Sequence, residues 1–455
     1  MKIHPILYSY PSFGHFFLEA TFNMGRVNID ALKPGMVLSE DLKHPNGRLL
    51  LGKGIKLDLS HLRILKIWGI VGVEIEGVAE DLRPPALEEI DPAVLQAAEK
   101  FTQKRFACAN LDHPFLQELF RICTLRRAQR MVLKQTSGGD GMSADREAAP
   151  IYESQPRYPF SDRQKDLNSL VEEDVNLASL PHIFTEITRV IGDPRSSAIH
   201  VADVISKDPN LSAKLLKIVN SAFYNFPSKI DTISRAVMIV GSKQLSTLAL
   251  GTSVLKIFQD IPADLVNMKS FWEHSIACGI GARMIASYKN ISNTERLFVA
   301  GLLHDLGRII IYKHLPRQRR ETLLRARRTN CLLRFSEFET LGFDHTQIGG
   351  MLLRKWALPF ILEQAVEYHH EPFKSKHPLE ATIVHIADIL INALGLGTSG
   401  ERFVPPIIPE AWTDLRLPTE MFAKIVQLID RQVEEVIHNF FGDFTHENSH
   451  EPRGT

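Results

Sequence analysis

The stretch FVAGLLHDLGRIII, residues 298–311, constrains the fold of this chain more than any other segment. It is apolar enough to form a buried helix, yet His304 and Asp305 stand side by side in its middle. A buried carboxylate without compensation costs on the order of several kcal/mol. Asp305 therefore needs a partner, and an adjacent His and Asp usually find one in a metal ion or a tight hydrogen-bond network.

Length, charge and cysteine usage narrow the class of protein. A chain of 455 residues is too long for one hydrophobic core, so two or three domains are expected. Lys plus Arg and Asp plus Glu number 53 each, which gives no charge excess that would favour nucleic acid or a membrane surface. The four cysteines form no CxxC pair, and no apolar run approaches the ~18 residues of a membrane span. These features predict a cytoplasmic protein without membrane association.

The first 168 residues divide by pattern into four segments. Short alternating apolar runs around the turn residues Pro45 to Gly47 predict a hairpin, followed by a helix over 60–68 and a strand over 70–75. The predicted segments are a disordered or mis-assigned start at 1–23 (with Met24 as the alternative first residue), a small α+β domain at 24–79, a helical extension at 88–135 and a flexible linker at 136–168.

The remainder of the chain has a helical period almost throughout. The pairs Asp193-Pro194 and Asp208-Pro209 each predict a capped helix start. The predicted helices cover 230–240, 243–258, 271–288, 294–311, 316–328, 345–356, 359–369, 379–394 and 418–440. The prediction is a mainly α protein with an all-helical domain at 176–398, a C-terminal helical extension at 399–443 and a disordered tail at 444–455.

Further histidines and a second buried aspartate lie on the neighbouring predicted helices. A lone histidine on an apolar face is usually a core residue, but two apolar helices that each carry an Asp form a different pattern. The residues concerned are His274, His304, Asp305, His345, His369, His370 and Asp388. Mixed imidazole and carboxylate ligands suit one or two divalent ions of Fe, Mn, Zn or Ni inside a helical bundle. A buried polar network without metal is the alternative.

A run of arginines directly follows the stretch at 298–311. Its members are Arg317, Arg319, Arg320, Arg325, Arg327 and Arg328. A solvated basic face is the favoured interpretation, with Glu321 placed to pair with Arg325. A phosphate, nucleotide or RNA contact is the alternative. Because no aromatic residues are interleaved with the arginines, nucleic-acid binding is not expected.

The order of these residues resembles that of a known superfamily. His274, then His304-Asp305, then Asp388 resembles the H…HD…D signature of the HD superfamily of metal-dependent phosphohydrolases. The span 176–396 resembles the HDOD family of bacterial signalling proteins, through the phrases LASLPHIFTEI, VISKDPNLSAKLLKIVNSAFY, ISRAVMIVG, FVAGLLHDLGRIII, FDHTQIGGMLLRKWALP, YHHEP and VHIAD. The segment VNIDALKPGMVLSEDLKHPNGRLLLGKGIKL is similar to the small domain that precedes many HD-GYP phosphodiesterases.

The resemblance implies specific roles for the candidate residues. In the HD superfamily, the positions of His274, His304, Asp305 and Asp388 bind a first metal ion. In HD-GYP enzymes, positions that match His345, His369 and His370 bind a second one. This chain departs from the HD-GYP pattern after YHHEP, because FKSKHP follows and the GYP tripeptide is absent. The HDOD resemblance instead implies a regulatory module without catalysis.

Three functions follow as hypotheses. The first is a bacterial signalling protein whose HDOD domain binds a protein partner or a small nucleotide ligand, with a hydrophobic groove around 211–226 and 239–255 as the binding surface. The second is a metal-dependent phosphohydrolase that acts on a nucleotide or cyclic dinucleotide. The third is a sensor that binds RNA or a nucleotide through its arginines. The oligomeric state is left open.

Overall fold

The computed structural model divides the chain into two compact units, residues 1–83 and 84–455. The structure describes residues 26–28, 32–43, 49–58, 61, 65, 72–75, 90–137, 167–168, 182–193, 195–221, 224, 226, 229–255, 266–419 and 421–441. The predictions for residues 1–23, for almost all of the linker at 136–168 and for the tail at 444–455 therefore lie outside the described residues.

The first unit contains two short antiparallel strand pairs. Strand β1 (Arg26–Asn28) pairs with β4 (Gly72–Glu74), and β2 (Leu42–Lys43) pairs with β3 (Leu49–Leu51). The second pair is the predicted hairpin, although its turn lies outside the described residues. Of the predicted helix over 60–68 only His61 and Leu65 are described. The buried apolar side chains of this unit are Leu32, Leu38, Leu57, Leu65, Val73 and Ile75.

The regular elements described in the second unit are helical, apart from short turns, and the mainly α fold class is confirmed. Its helices are α1 (Pro92–Arg105), α2 (Pro114–Ser137), α3 (His182–Gly192), α4 (Ala198–Ser206), α5 (Pro209–Val219), α6 (Ile233–Val240), α7 (Ser242–Leu255), α8 (Met268–Tyr288), α9 (Thr294–Leu303), α10 (Leu306–His314), α11 (Pro316–Thr329), α12 (Leu333–Leu341), α13 (His345–Lys355), α14 (Phe360–Glu367), α15 (Pro378–Leu394), α16 (Pro409–Leu415) and α17 (Met421–Phe441). Among the described residues, no helix combines the length and the hydrophobicity that a membrane crossing requires.

One of the two predicted helix starts is confirmed and the other is wrong. Asp208 caps α5, because its side chain accepts a hydrogen bond from the Leu211 N–H and Pro209 is the first helical residue. The Asp193 side chain instead accepts from the Arg195 N–H within a turn. Helix α4 begins only at Ala198, where Ser197 is the cap. An Asp-Pro pair can serve a turn as well as a helix, and the local sequence does not separate the two.

This difference predicts unequal effects of two similar substitutions. Asp208→Ala should lower the free energy of unfolding by about 1 kcal/mol, because α5 loses its N-cap. Asp193→Ala should change it by less than about 0.5 kcal/mol, since the side chain serves an exposed turn. Urea denaturation of both variants checks this expectation. A larger loss in Asp193→Ala than in Asp208→Ala would contradict the assignment of the caps.

The predicted helix over 294–311 is broken in two at the histidine–aspartate pair. Helix α9 ends at Leu303, His304 and Asp305 form a turn, and α10 begins at Leu306. The prediction of one continuous helix is therefore wrong at its centre. At this turn both adjacent side chains face the same interior region, and Nε2 of His304 lies 3.3 Å from Oδ2 of Asp305. In a continuous helix, neighbours in sequence point about 100° apart.

Glycines allow the helices that surround this turn to approach closely. A Cβ atom on Gly301 of α9 would lie 2.8 Å from the Cys278 carbonyl oxygen of α8. A Cβ atom on Gly307 of α10 would lie 1.9 Å from the His345 carbonyl oxygen at the start of α13. Real Cβ atoms do not come so near to a backbone oxygen, so only glycine fits these two crossings. The glycine at 307 thus brings the turn of Asp305 against His345.

Candidate metal centre

The structure brings all seven predicted histidines and aspartates together. They come from α8, from the turn between α9 and α10, from the start of α13, from the turn after α14 and from α15. In this order they are His274, His304, Asp305, His345, His369, His370 and Asp388. Their side chains form overlapping groups of histidine and carboxylate atoms within 4.8 Å of one another. These spacings suit shared coordination of a metal ion.

The first subsite consists of His274, His304, Asp305 and Asp388. Nε2 of His274 lies 3.3 Å from Oδ1 of Asp388 and 3.8 Å from Oδ2 of Asp305. Nε2 of His304 lies 3.4 Å and 3.3 Å from the same two oxygens. Two imidazole nitrogens and two carboxylate oxygens therefore face one another across a small buried space.

The second subsite consists of His345, His369 and His370, whose ligand atoms form another group within 4.8 Å. The ring centroids of His369 and His370 are 4.1 Å apart, and those of His345 and His369 are 5.5 Å apart. The two subsites are adjacent, because Nε2 of His345 lies 3.1 Å from Oδ1 of Asp305. This arrangement can hold one cation or a pair.

The free imidazole nitrogens of this cluster argue against a self-sufficient polar network. Five buried Nε2 atoms make no hydrogen bond within the described part of the chain: those of His274, His304, His345, His369 and His370. Several lie near a carboxylate, but outside hydrogen-bond geometry. Buried polar atoms in native structures almost always have a partner. Orphans that converge on one point indicate that a partner of the right chemistry belongs there.

The other ring nitrogen of three of these histidines is held by the protein. Nδ1 of His304 lies 2.7 Å from the Gly301 carbonyl oxygen, and Nδ1 of His369 lies 2.7 Å from that of Val366. Nδ1 of His345 lies 2.6 Å from Oε2 of Glu337. A carbonyl oxygen can only accept, so the Nδ1 atoms of His304 and His369 carry the protons. In the neutral form, each of these two rings presents an Nε2 lone pair to the cluster, as metal-bound histidines do.

The charges of the site favour a cation between the aspartates. Burial opposes ionisation of Asp305, but Arg308, His304 and His345 outweigh it and hold the pKa of Asp305 well below its ordinary value. Burial likewise opposes the charge on Asp388, and the interaction with the nearby His274 and His304 rings overcomes it and lowers the pKa of Asp388. Both carboxylates are therefore anionic ligands at neutral pH.

The histidines of the cluster differ in their response to the neighbouring charges. For His345, burial and Arg308 act against protonation, but Glu337 and Asp305 raise the pKa of the ring to about 9. For His304, burial acts against protonation, yet the Asp305 carboxylate raises the pKa of the ring well above its ordinary value. For His369 and His370, burial lowers the pKa well below the ordinary value, and neighbouring histidines add to the effect. Without a metal ion a proton supplies positive charge at His304, while His369 and His370 stay neutral and competent as ligands.

A buried layer of polar side chains around Asp305 was not predicted from the sequence. Arg308 donates hydrogen bonds to Oδ2 of Asp305 at 2.7 Å, to Oγ of Ser399 at 2.6 Å and to Oε1 of Glu337 at 3.1 Å. Arg308 lies in the same apolar stretch as Asp305, so its need for a buried partner was equally visible in the sequence. Glu337 and Ser399 carry no such signal, and α12 itself was not predicted.

His385 and Asn392 flank Asp388 on α15 and have different roles. Nδ2 of Asn392 donates to Oδ1 of Asp388 at 2.7 Å, which fixes the carboxylate. His385, one turn before Asp388, accepts a hydrogen bond from the Ile408 N–H through Nε2, and burial lowers its pKa to about 4. His385 belongs to none of the ligand groups. It is a buried histidine with a structural partner.

The predicted arginine face lies on α11, away from the ligand groups. Arg317 and Arg328 are exposed, and Arg320, Arg325 and Arg327 are half-buried. Arg325 pairs with Glu339 of α12. The buried Arg319, also in this run, donates to the Tyr312 carbonyl oxygen at 3.2 Å. The arginine that contacts the histidine–aspartate cluster is Arg308, and the anion-binding role of the α11 arginines remains a prediction.

The fold and the site define the class of protein: an all-helical domain with a buried cluster of histidines and aspartates. Comparison with known families identifies the family to which this domain belongs. Residues 177–372 match the family model of the HDOD domain. This part of the chain is an HDOD domain, and the predicted resemblance is confirmed for it. The match ends before Asp388, which α15 contributes. The resemblance of the first unit to the domain that precedes HD-GYP enzymes remains a prediction.

Known relatives are distant. An uncharacterized protein of Treponema pallidum (strain Nichols) is 26% identical over 210 residues, which cover 44% of this chain and 39% of that protein. The chain thus spans less than half the length of this relative. The solved HDOD domain protein of unknown function from Geobacter sulfurreducens is 21% identical, with 61% of this chain and 94% of that chain covered and a TM-score of 0.46.

Two further solved structures are similarly remote. A protein of Shewanella amazonensis SB2B, provisionally named a phosphohydrolase, is 22% identical. The match covers 58% of this chain and 98% of that chain, with a TM-score of 0.43. A protein of Marinobacter aquaeolei VT8, provisionally named a signal transduction protein, is 19% identical. The match covers 60% of this chain and 66% of that chain, with a TM-score of 0.47. Because these TM-scores are below 0.5, the domain assignment rests on the family model.

Proposed function

We propose that the HDOD domain of this protein is a metal-binding module that holds one or two divalent ions and works in signal transduction. The observation that carries the metal centre is the convergence of five buried Nε2 atoms without hydrogen-bond partners among the described residues. Mixed imidazole and carboxylate donors fit Fe, Mn, Zn or Ni. The signalling role is supported by the HDOD domain itself.

The chain's own residues have defined tasks in such a centre. His274, His304, Asp305 and Asp388 would hold the first ion, and His345, His369 and His370 the second. The carbonyl oxygens of Gly301 and Val366 fix two of the imidazole rings in the required tautomer. Arg308 and Asn392 hold the two aspartates in place. When bound, the metal supplies a Lewis acid that attracts an oxyanion such as a phosphate ester.

Elemental analysis of protein purified without chelator tests the metal centre. The wild-type protein should contain one or two equivalents of a transition metal. His304→Ala and Asp388→Ala should lose the first ion, because each removes a ligand of that subsite. His370→Ala should lose one equivalent and keep the other. Circular dichroism of each variant shows whether the fold is retained.

His385→Gln is the matched control for this experiment. It replaces a buried histidine on the same helix as Asp388, but outside the ligand groups, and glutamine can still accept from the Ile408 N–H. The metal content of this variant should equal that of the wild type. Wild-type protein that is folded, metal-free and unable to take up added Mn²⁺, Fe²⁺ or Zn²⁺ would contradict the proposal and support a purely structural network.

Hydrolysis of a phosphate ester is the second candidate function. The specific observation in its favour is a cavity of about 250 Å³ that has His370 in its wall, so a ligand could reach the second subsite. Turnover of nucleotide or cyclic-dinucleotide substrates by the metal-loaded protein, lost in His304→Ala, would establish it. Absence of turnover in the metal-loaded protein would exclude hydrolysis of these substrates and leave the role in signal transduction.

Four apolar residues of the predicted partner-binding groove are buried in the core. Leu211 and Leu215 of α5 and Leu245 and Leu248 of α7 are buried in the core of the helical unit. The α5 and α7 helices pack against each other, so these apolar side chains stabilise the domain. The groove as a binding surface for a signalling partner remains a prediction.

A further inference from the structure

The cavity beside the second subsite has a mainly apolar wall. It is formed by α12 and the residue before it, the turn after α14, His385 of α15 and the segment 401–408, with a volume of about 250 Å³. Its apolar lining residues are Leu332, Phe335, Phe373, Pro405, Pro406 and Ile408. Phe335 and Phe373 are 55% and 61% exposed, which is unusual for phenylalanine. Two phenyl rings are thus available to a ligand that enters from solvent.

The charged groups of the wall are already engaged by the protein. Arg334 donates through Nε to Asp344 and through Nη2 to Glu371, both at 2.7 Å. The buried Glu401 carboxylate accepts hydrogen bonds from three backbone N–H groups, including that of Leu333 at 2.7 Å. Among the described residues that line the cavity, Arg334 is the cationic side chain, and two carboxylates balance it. The wall therefore offers little attraction to a second anionic group.

We propose that this cavity binds the neutral, aromatic or apolar part of a small ligand whose single oxyanion head is held at the second subsite. This inference rests on the proposed metal centre, since the metal supplies the attraction for the head. His370 connects the two parts, because it belongs to the second subsite and also lines the cavity. The ligand class is a small phosphate ester, or a carboxylate, with one ring-sized group.

Size and charge favour small ligands over larger nucleotides in the cavity. Pockets for drug-sized molecules have volumes of about 300–1,000 Å³, and this cavity falls just below that range. A cyclic dinucleotide would need room for two bases and a second phosphate. Among the described residues of the wall no cation is free to balance that phosphate, because Arg334 is bound to Asp344 and Glu371. The cavity thus selects against the cyclic dinucleotides of the phosphohydrolase hypothesis.

The segment that closes the cavity lies outside the family match. Residues 401–408, which contribute Glu401, Pro405, Pro406 and Ile408 to the wall, follow the matched span of 177–372. Two consecutive prolines restrict the backbone of this segment and hold its shape. Part of the wall that sets the ligand preference is therefore contributed by residues beyond the matched span.

Calorimetric titration of the full-length, Mn²⁺-loaded protein tests the proposal. Phenyl phosphate should bind about tenfold or more tightly than inorganic phosphate, because its ring removes apolar surface from water. Titration with benzoate shows whether a carboxylate can replace the phosphate head. Tight binding of phenyl phosphate or of benzoate supports the proposal. Cyclic di-GMP should not displace phenyl phosphate.

Two phenylalanines on α12 provide a matched pair of variants. Phe335→Ala removes a ring that lines the cavity, whereas Phe338→Ala removes a ring of nearly equal exposure, 57%, that does not line it. Phe335→Ala should lose most of the difference in affinity between phenyl phosphate and inorganic phosphate. Its affinity for inorganic phosphate should be unchanged. Phe338→Ala should behave as the wild type. Ile408→Trp places a large side chain in the cavity. This variant should bind phenyl phosphate no more tightly than inorganic phosphate.

The outcomes separate this inference from the proposed function. A protein that holds metal but binds phenyl phosphate no better than phosphate overturns the cavity proposal and leaves the metal centre intact. Equal effects of Phe335→Ala and Phe338→Ala on phenyl phosphate binding also overturn the cavity proposal. A protein that takes up no metal by elemental analysis overturns the proposed function first, and the cavity proposal with it.

Discussion

Gly307→Ala should lower the free energy of unfolding by about 3 kcal/mol or more, the upper end of the range for overpacked cores. A Cβ atom at this position would lie 1.9 Å from the His345 carbonyl oxygen and 3.0 Å from the Gly349 backbone nitrogen. Backbone atoms cannot move aside as a flexible side chain can, so α10 and α13 would have to separate. This movement would also draw His345 away from Asp305. Denaturation by guanidinium chloride measures the loss.

Gly281→Ala on α8 is the matched control for this prediction. Both glycines lie in helices of the same domain, but the nearest atom to a Cβ on Gly281 is Cβ of Ala387 at 3.6 Å, an ordinary contact. Alanine is also preferred over glycine in a helix by about 1 kcal/mol. Gly281→Ala should therefore be neutral or stabilising. Equal stabilities of the two variants would contradict the close crossing of α10 and α13.

Arg308→Met should destabilise the chelator-treated protein by about 3–5 kcal/mol, the usual cost when one partner is removed from a buried ion pair. The guanidinium is 3% exposed and bonds to both Asp305 and Glu337. Without it, two buried carboxylates lose their fixed cation. In metal-loaded protein the loss should be smaller, because a bound ion neutralises part of the charge on Asp305. Urea denaturation with and without Mn²⁺ measures both values.

Arg325→Met tests whether burial is the cause of that effect. Arg325 also pairs with a glutamate, Glu339, but both side chains are about half exposed to solvent. Surface ion pairs contribute about 0–1 kcal/mol, so this variant should be close to the wild type in stability. If Arg308→Met cost no more than Arg325→Met, Arg308 would not hold the charges of the cluster together.

The sequence identified the residues of the cluster because their chemistry conflicts with their surroundings. Asp305 and Asp388 lie in segments so apolar that each carboxylate required a partner. The histidines on neighbouring predicted helices, together with the resemblance to the HD superfamily and to HD-GYP enzymes, then identified the other members. Helical period and capping residues such as Asp208 predicted most of the helices, because these signals are local. Metal binding by this set remains a prediction.

The tertiary structure decided the features that depend on contacts between distant parts of the chain, which local sequence signals do not encode. The break between α9 and α10 at His304 and Asp305 lies beside the close crossing of α10 and α13 at Gly307, and nothing in the apolar period of 298–311 marks it. The pairing of Arg308 with Glu337 joins residues of two helices that are separated along the chain. The cavity at His370 exists because segment 401–408 returns to close it. By itself the sequence determined which side chains need partners, and only long-range packing decided which groups meet them.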